Sequence, residues 1–153
     1  MTIDVRRILV PVDFSDAVDP ILDWAIHLAK EHGSELVLLH VYHLPVEFQQ
    51  IEGAYLPADF WANVKQEAEQ QLASLAERAR SRGVKVEQHV REGYPATVIT
   101  EEATELGTDL IVIGTHGHTG IKHMLLGSIA ERVVQRAPCP VLTVRAPDAG
   151  PIT

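Results

Sequence analysis

Apolar residues in this chain fall into short unbroken runs, separated by stretches in which they recur every third or fourth position. The runs are residues 8–13 (ILVPVD), 35–42 (ELVLLHVY), 109–113 (DLIVI) and 141–144 (VLTV). Such runs predict strands covered on both faces, as in parallel sheets. Residues 84–90 (VKVEQHV) alternate instead, which predicts a one-sided or edge strand. Helical spacing fills the intervals. Ile21, Leu22, Trp24, Ala25, Leu28 and Ala29 share one face and stop before Gly33. Phe60, Val64, Ala68, Leu72, Leu75 and Ala79 form a second face ending near Gly83. Ala96, Val98, Ile99, Ala103 and Leu106 form a third, closed by Gly107, and IAERVVQRA after Ser128 forms a fourth.

The start of the first helix has two solutions. Ser15 can cap it, with Asp16 and Asp19 in the first turn, but Pro20 then lies too far inside. Asp19 can cap it with Pro20 at the first helical position. Residues 43–58 carry Pro45, Gly53 and Pro57 and predict a long irregular loop bearing Phe48 and Tyr55, with a lid, a partner surface, disorder and a plain packed excursion all open as readings.

The order β-α-β-α-β-α-β-α-β predicts a single-domain α/β fold. It is a doubly wound, Rossmann-like sheet of five parallel strands in the order 3-2-1-4-5, with right-handed crossovers and helices on both faces. No tandem repeat or linker divides the chain, so residues 1–146 are expected to form the domain and 147–153 a loose tail.

The chemistry concentrates after the fourth strand. Gly114, Gly117, Gly127 and Ser128 give Gly-x2-Gly-x9-Gly-Ser, in the segment GTHGHTGIKHMLLGS. Strand, glycine-rich loop and helix start together suit an anion. Glycine lets backbone N–H groups come close, and a helix N-terminus adds free donors and a positive partial charge. In the expected order, strands one and four flank the point where strand order reverses, the usual ligand crevice. Asp13 ends the first strand and Gly114 the fourth, so the acid and the glycine loop should face one cleft. A carboxylate accepting ribose hydroxyls or an adenine amino group suits a nucleoside better than bare phosphate. Each residue also has a purely structural explanation: turn glycines, a Ser128 helix cap, an Asp13 stabilised by a helix dipole.

Charge and cysteine content narrow the classes. The formal net charge of −8 argues against a nucleic-acid or anionic-membrane surface. The single cysteine, Cys139, forbids an internal disulfide and reads as a packed side chain in a reducing, cytoplasmic setting. No apolar stretch reads as a secretory signal or membrane span. His116, His118 and His123 do not match a metal-ligand pattern, so no metal residue is assigned. They read as loop side chains near phosphates, with magnesium or manganese free to arrive on the triphosphate itself. The chain lacks GxxxxGK[ST] and GxGxxG, and it shows no readable catalytic triad.

PVDFS after the first strand, HVY at the end of the second, GTHGHTGIKHMLLGS and the closing APCPVLTVR resemble the universal stress protein family over residues 7–145. The glycine motif resembles its ATP-binding branch. The resemblance implies that Pro11 and Val12 line an adenosine pocket, with Asp13 and the backbone at Val41 contacting its end. It implies that Gly114, Thr115, His116 and Gly117 wrap ribose and α-phosphate, and that Gly127, Ser128 and the amide of Ile129 hold the phosphates. It further implies a homodimer through the last strand. That strand, as an apolar edge, invites self-pairing unless its own tail covers it. The expected role is an ATP-binding, stress-response regulatory module. A weak ATPase or phosphotransferase, and an interaction dimer without nucleotide, remain open, as do ADP, AMP or a cyclic nucleotide in place of ATP. No residue is assigned a catalytic role.

Overall fold

The computed structural model describes residues 2–43, 59–116 and 126–146. The chain runs β1 (Arg7–Pro11), α1 (Val18–His32), β2 (Glu35–Tyr42), α2 (Phe60–Arg80), β3 (Val86–Glu92), α3 (Pro95–Glu105), β4 (Leu110–Gly114), α4 (Ser128–Arg136) and β5 (Val141–Val144). All strand pairs are parallel and the order is β3-β2-β1-β4-β5, as the pattern predicts.

The period of two along each strand divides the core. Ile8, Val10, Leu36, Leu38 and Val112 meet α1 and α2, through Leu22, Ala25, Ile26, Leu72 and Ala76. Leu9, Val37, Leu39, Ile111 and Ile113 meet α3 and α4, through Ala96, Ile99, Ala103 and Val133. An unbroken apolar run is what a strand with both faces covered requires. Full burial of each such leucine or isoleucine contributes about 1.5–3 kcal/mol.

Two local expectations are corrected. Neither Ser15 nor Asp19 caps α1: the helix starts at Val18, after Ala17, with no side-chain cap. The Ser15 carbonyl accepts the Val18 N–H at 3.1 Å instead. Pro20 is tolerated as the third helical residue because N–H groups of the first turn lack intrahelical partners anyway. The third strand starts at Val86, two residues later than the alternation suggests, and continues to Glu92. Val84 is buried, but its N–H closes the end of α2 on the Ala79 carbonyl. Arg91 and Glu92 extend the strand because main-chain pairing with Val41 and Tyr42 is indifferent to polar side chains at an edge.

At the N-terminal ends of the strands, charged groups tie the sheet together. Asp109 Oδ2 accepts the backbone N–H groups of Arg6 at 2.9 Å and Arg7 at 3.0 Å. The Arg7 guanidinium donates to Glu35 and to the Leu106 carbonyl. Among the described residues, no helix is long and apolar enough to cross a membrane.

Candidate nucleotide site

The strand order reverses between β1 and β4, and the chain leaves these strands toward opposite sides. Their C-terminal ends open a cavity of about 370 Å³. Pro11, Val12, Asp13, Val41, Gly114, Thr115, His116, Gly127, Ser128 and Ile129 all line it. Of the residues singled out in the sequence, Gly117 and His118 lie outside the described residues, as do His123, Phe48 and Tyr55. The two segments expected to meet, around Asp13 and around Gly114–Ser128, therefore share one cavity.

One wall is the elbow after β1. The Val12 N–H donates to the Leu39 carbonyl at 2.9 Å, continuing the strand pairing by one residue. Asp13 is exposed, and its Oδ1 accepts the Ser15 N–H at 3.0 Å. This local bond turns the chain and fixes the carboxylate at the cavity rim.

The opposite wall is the exit of β4 and the start of α4. Thr115 is buried and tightly used: its N–H donates to the Val144 carbonyl, and its carbonyl accepts the Gly127 N–H at 2.6 Å. Its hydroxyl lies 3.0 Å from His116 Nδ1. His116 Nε2 is buried with no hydrogen-bond partner among the described residues. A buried, unsatisfied ring nitrogen beside a cavity suits a ligand that completes it.

The expected roles of Gly127 and Ser128 need revision. Gly127, not Ser128, is the helix cap: its backbone is extended (φ −70°, ψ 166°), and its carbonyl accepts the Glu131 N–H. The Gly127 N–H is consumed by Thr115, so it is no anion donor. The amides of Ser128, Ile129 and Ala130, in the first turn, have no intrahelical acceptor and carry the positive end of the α4 dipole.

Turn geometry does not explain the two described motif glycines. Positive φ occurs at Gly33, Gly83, Gly93 and Gly107, not at Gly114 or Gly127. At Gly127 a Cβ would stand 3.2 Å from the Thr115 carbonyl oxygen, and at Gly114 it would stand 2.8 Å from Ile21 Cδ1. At Gly127 the close neighbour is backbone, so space favours glycine; at Gly114 it is the flexible end of Ile21, which can move aside. The first-turn amides and the apolar lining fit a flat apolar group joined to an anion.

Several lining residues have no signal in the sequence: Ile21, Leu39, Pro95, Ile99, Ile113, Ala130 and Glu131. Pro95 and Ile99 belong to α3, which an ionic cluster fastens to β3. Glu102 Oε1 accepts from Arg91 Nε at 2.6 Å, and Oε2 accepts from His89 Nδ1 at 3.0 Å. Burial alone would push the Glu102 carboxyl up, but the hydrogen bonds from His89 and Arg91 outweigh it and hold the group below its ordinary value. Cys139 packs half-buried at the edge of the α3/α4 core. Burial, and secondarily the Asp109 charge, push its thiol up, away from the reactive thiolate. No group of three or more metal-ligating side chains occurs among the described residues.

A model of the universal stress protein family matches residues 4–145. Universal stress protein YxiE of Bacillus subtilis is 39% identical over 146 residues, 92% of this chain and 99% of YxiE. Among solved structures, MJ0577 of Methanocaldococcus jannaschii superposes with a TM-score of 0.81 at 29% identity, over 94% of this chain and 97% of that one. The universal stress protein of Archaeoglobus fulgidus in complex with dAMP superposes with a TM-score of 0.63 at 27% identity, over 93% and 98% of the two chains. The chain belongs to the universal stress protein family.

Proposed function

We propose that this protein binds an adenine nucleotide, ATP in the first instance, in the cavity between β1 and β4, and acts as a homodimeric stress-response regulator in the cytoplasm. One observation carries the proposal: the Asp13 elbow and the first turn of α4, more than 100 residues apart, line one cavity. The dAMP complex of a relative with the same fold supports it.

Val12, Leu39, Val41 and Ile99 seat the base, and Asp13 accepts from its amino group or the ribose hydroxyls. Gly114, Thr115, His116 and Gly117 surround ribose and α-phosphate, with His118 beside them. The amides of Ser128 and Ile129 receive phosphate oxygens, and Gly127 keeps that approach open. A magnesium or manganese ion is held by the triphosphate and water rather than by side chains. An amide cradle binds; hydrolysis needs in addition a positioned base and charge aimed at the transition state. The site is accordingly a binding site first. Residues 1–146 form the working domain, with 147–153 as a tail. The half-buried edge strand β5 pairs antiparallel with its copy across a two-fold axis.

Mass spectrometry of the small molecules released on denaturation tests the ligand. ATP or ADP is expected in stoichiometric amounts, and Asp13→Ala protein should carry much less. Protein that releases no adenine nucleotide and gives no heat on ATP titration would refute the proposal.

A further inference from the structure

We infer that Phe14 and His40 are positioning residues that hold the Asp13 elbow in its binding orientation from the far face of the sheet. The inference rests on the nucleotide proposal for the cavity and adds two residues that do not line it.

β2 alternates at its C-terminal end. Leu39 and Val41 line the cavity, so His40 lies on the opposite, α1/α2 face. There His40 Nδ1 sits 2.8 Å from the Val12 carbonyl oxygen. A carbonyl only accepts, so Nδ1 carries the hydrogen and donates it. The Phe14 ring lies against the same imidazole, with centroids 4.5 Å apart and planes inclined at 33°. Phe14 also packs on the α1/α2 core. Asp13 is thus gripped on both sides, by the carbonyl of the residue before it and the ring of the residue after it.

The backbone gives the grip its meaning. Phe14 has φ +60°, the one positive φ among described non-glycine residues. Bulky residues rarely adopt that conformation, and glycine adopts it freely. A plain turn here would be served by glycine. A phenylalanine stays because its ring contacts hold the turn, and strain of this kind persists only where surroundings over-determine it. The turn places the Ser15 N–H on Asp13 Oδ1, which orients the carboxylate before any ligand arrives. A preoriented acceptor spares the ligand the cost of ordering it.

The test uses Phe14→Gly, which keeps the backbone and deletes the ring, with His40→Ala and His40→Asn. Two readouts are taken: amide exchange at Ser15, and titration with adenosine and with ATP. In Phe14→Gly and His40→Ala, Ser15 exchange should accelerate about tenfold while amides of β4 stay protected. Adenosine and ATP should weaken by the same factor, about tenfold, because the lost contact lies at the nucleoside end. His40→Asn, whose amide nitrogen reaches the same carbonyl, should recover most of what His40→Ala loses. Unchanged Ser15 exchange in both variants overturns the inference, and so does acceleration spread equally over β4. If wild-type protein binds neither adenosine nor ATP, the nucleotide proposal falls, and Ser15 exchange still decides the clamp.

Discussion

The two ends of the sheet use glycine for opposite reasons. At the N-terminal ends of the strands, Gly33 and Gly107 have φ near +66° and +62°, and a Cβ on either would meet nothing within 4 Å. At the C-terminal ends, Gly127 has an ordinary φ, and its Cβ would press on a carbonyl 3.2 Å away. The first pair answers to backbone conformation, the second position to space. The ends also differ in chemistry. Asp109, Arg7 and Glu35 satisfy one another at the N-terminal end, whereas the C-terminal end presents apolar walls and first-turn amides with no intrahelical acceptor. One end is finished by folding; the other is left open.

The comparison predicts a clean separation of effects. Asp109→Ala should cost about 2 kcal/mol of stability, because it removes one charged acceptor from two strand amides. Denaturant unfolding measures this, and ATP affinity should not change. Gly127→Ala should act mainly on the site, weakening ATP at least tenfold, roughly 1.4 kcal/mol, with a smaller loss of stability than Asp109→Ala as the Thr115 carbonyl gives way to the new Cβ. Equal losses of stability in the two variants would erase the distinction between the ends. Gly33→Ala should lose about 1 kcal/mol through its left-handed backbone and bind ATP normally.

The smallest effect concerns acid. Glu102 has its carboxyl held below the usual 4.5 in the folded state. Its contribution is therefore complete above pH 4.5 and is lost as pH falls through the lower native value. Glu102→Gln should flatten the acid limb of the stability profile, and a steeper limb in that variant would contradict the cluster described for α3.

Much of this was legible in the chain. Unbroken runs such as ELVLLHVY suit strands covered on both faces, and their alternation with helical segments points to a parallel sheet with helices on each side. Asp13 and Gly114 were legible because each closes an apolar run at the strand-order reversal. The start of α1 was not, because its first N–H is bound by a backbone carbonyl, and capping rules read side chains. The α3 wall was not, because Pro95 and Ile99 look like any helix face until the fold sets them beside Val41. The Phe14–His40 contact joins the turn after β1 to β2, between residues 26 apart, and no periodicity marks it. Gly127 shows a subtler gap: the motif locates the residue, but only the structure shows that its N–H is bound by the Thr115 carbonyl.

The most direct test is a titration of isotopically labelled protein with ATP, followed by amide resonances. The amides of Asp13–Ser15 and of Ser128–Ala130 should shift together along one saturable curve, while Arg6, Gly33 and Lys85 at the other end of the sheet stay still. Shifts confined to that other end, or only one of the two segments responding at saturation, would contradict the account.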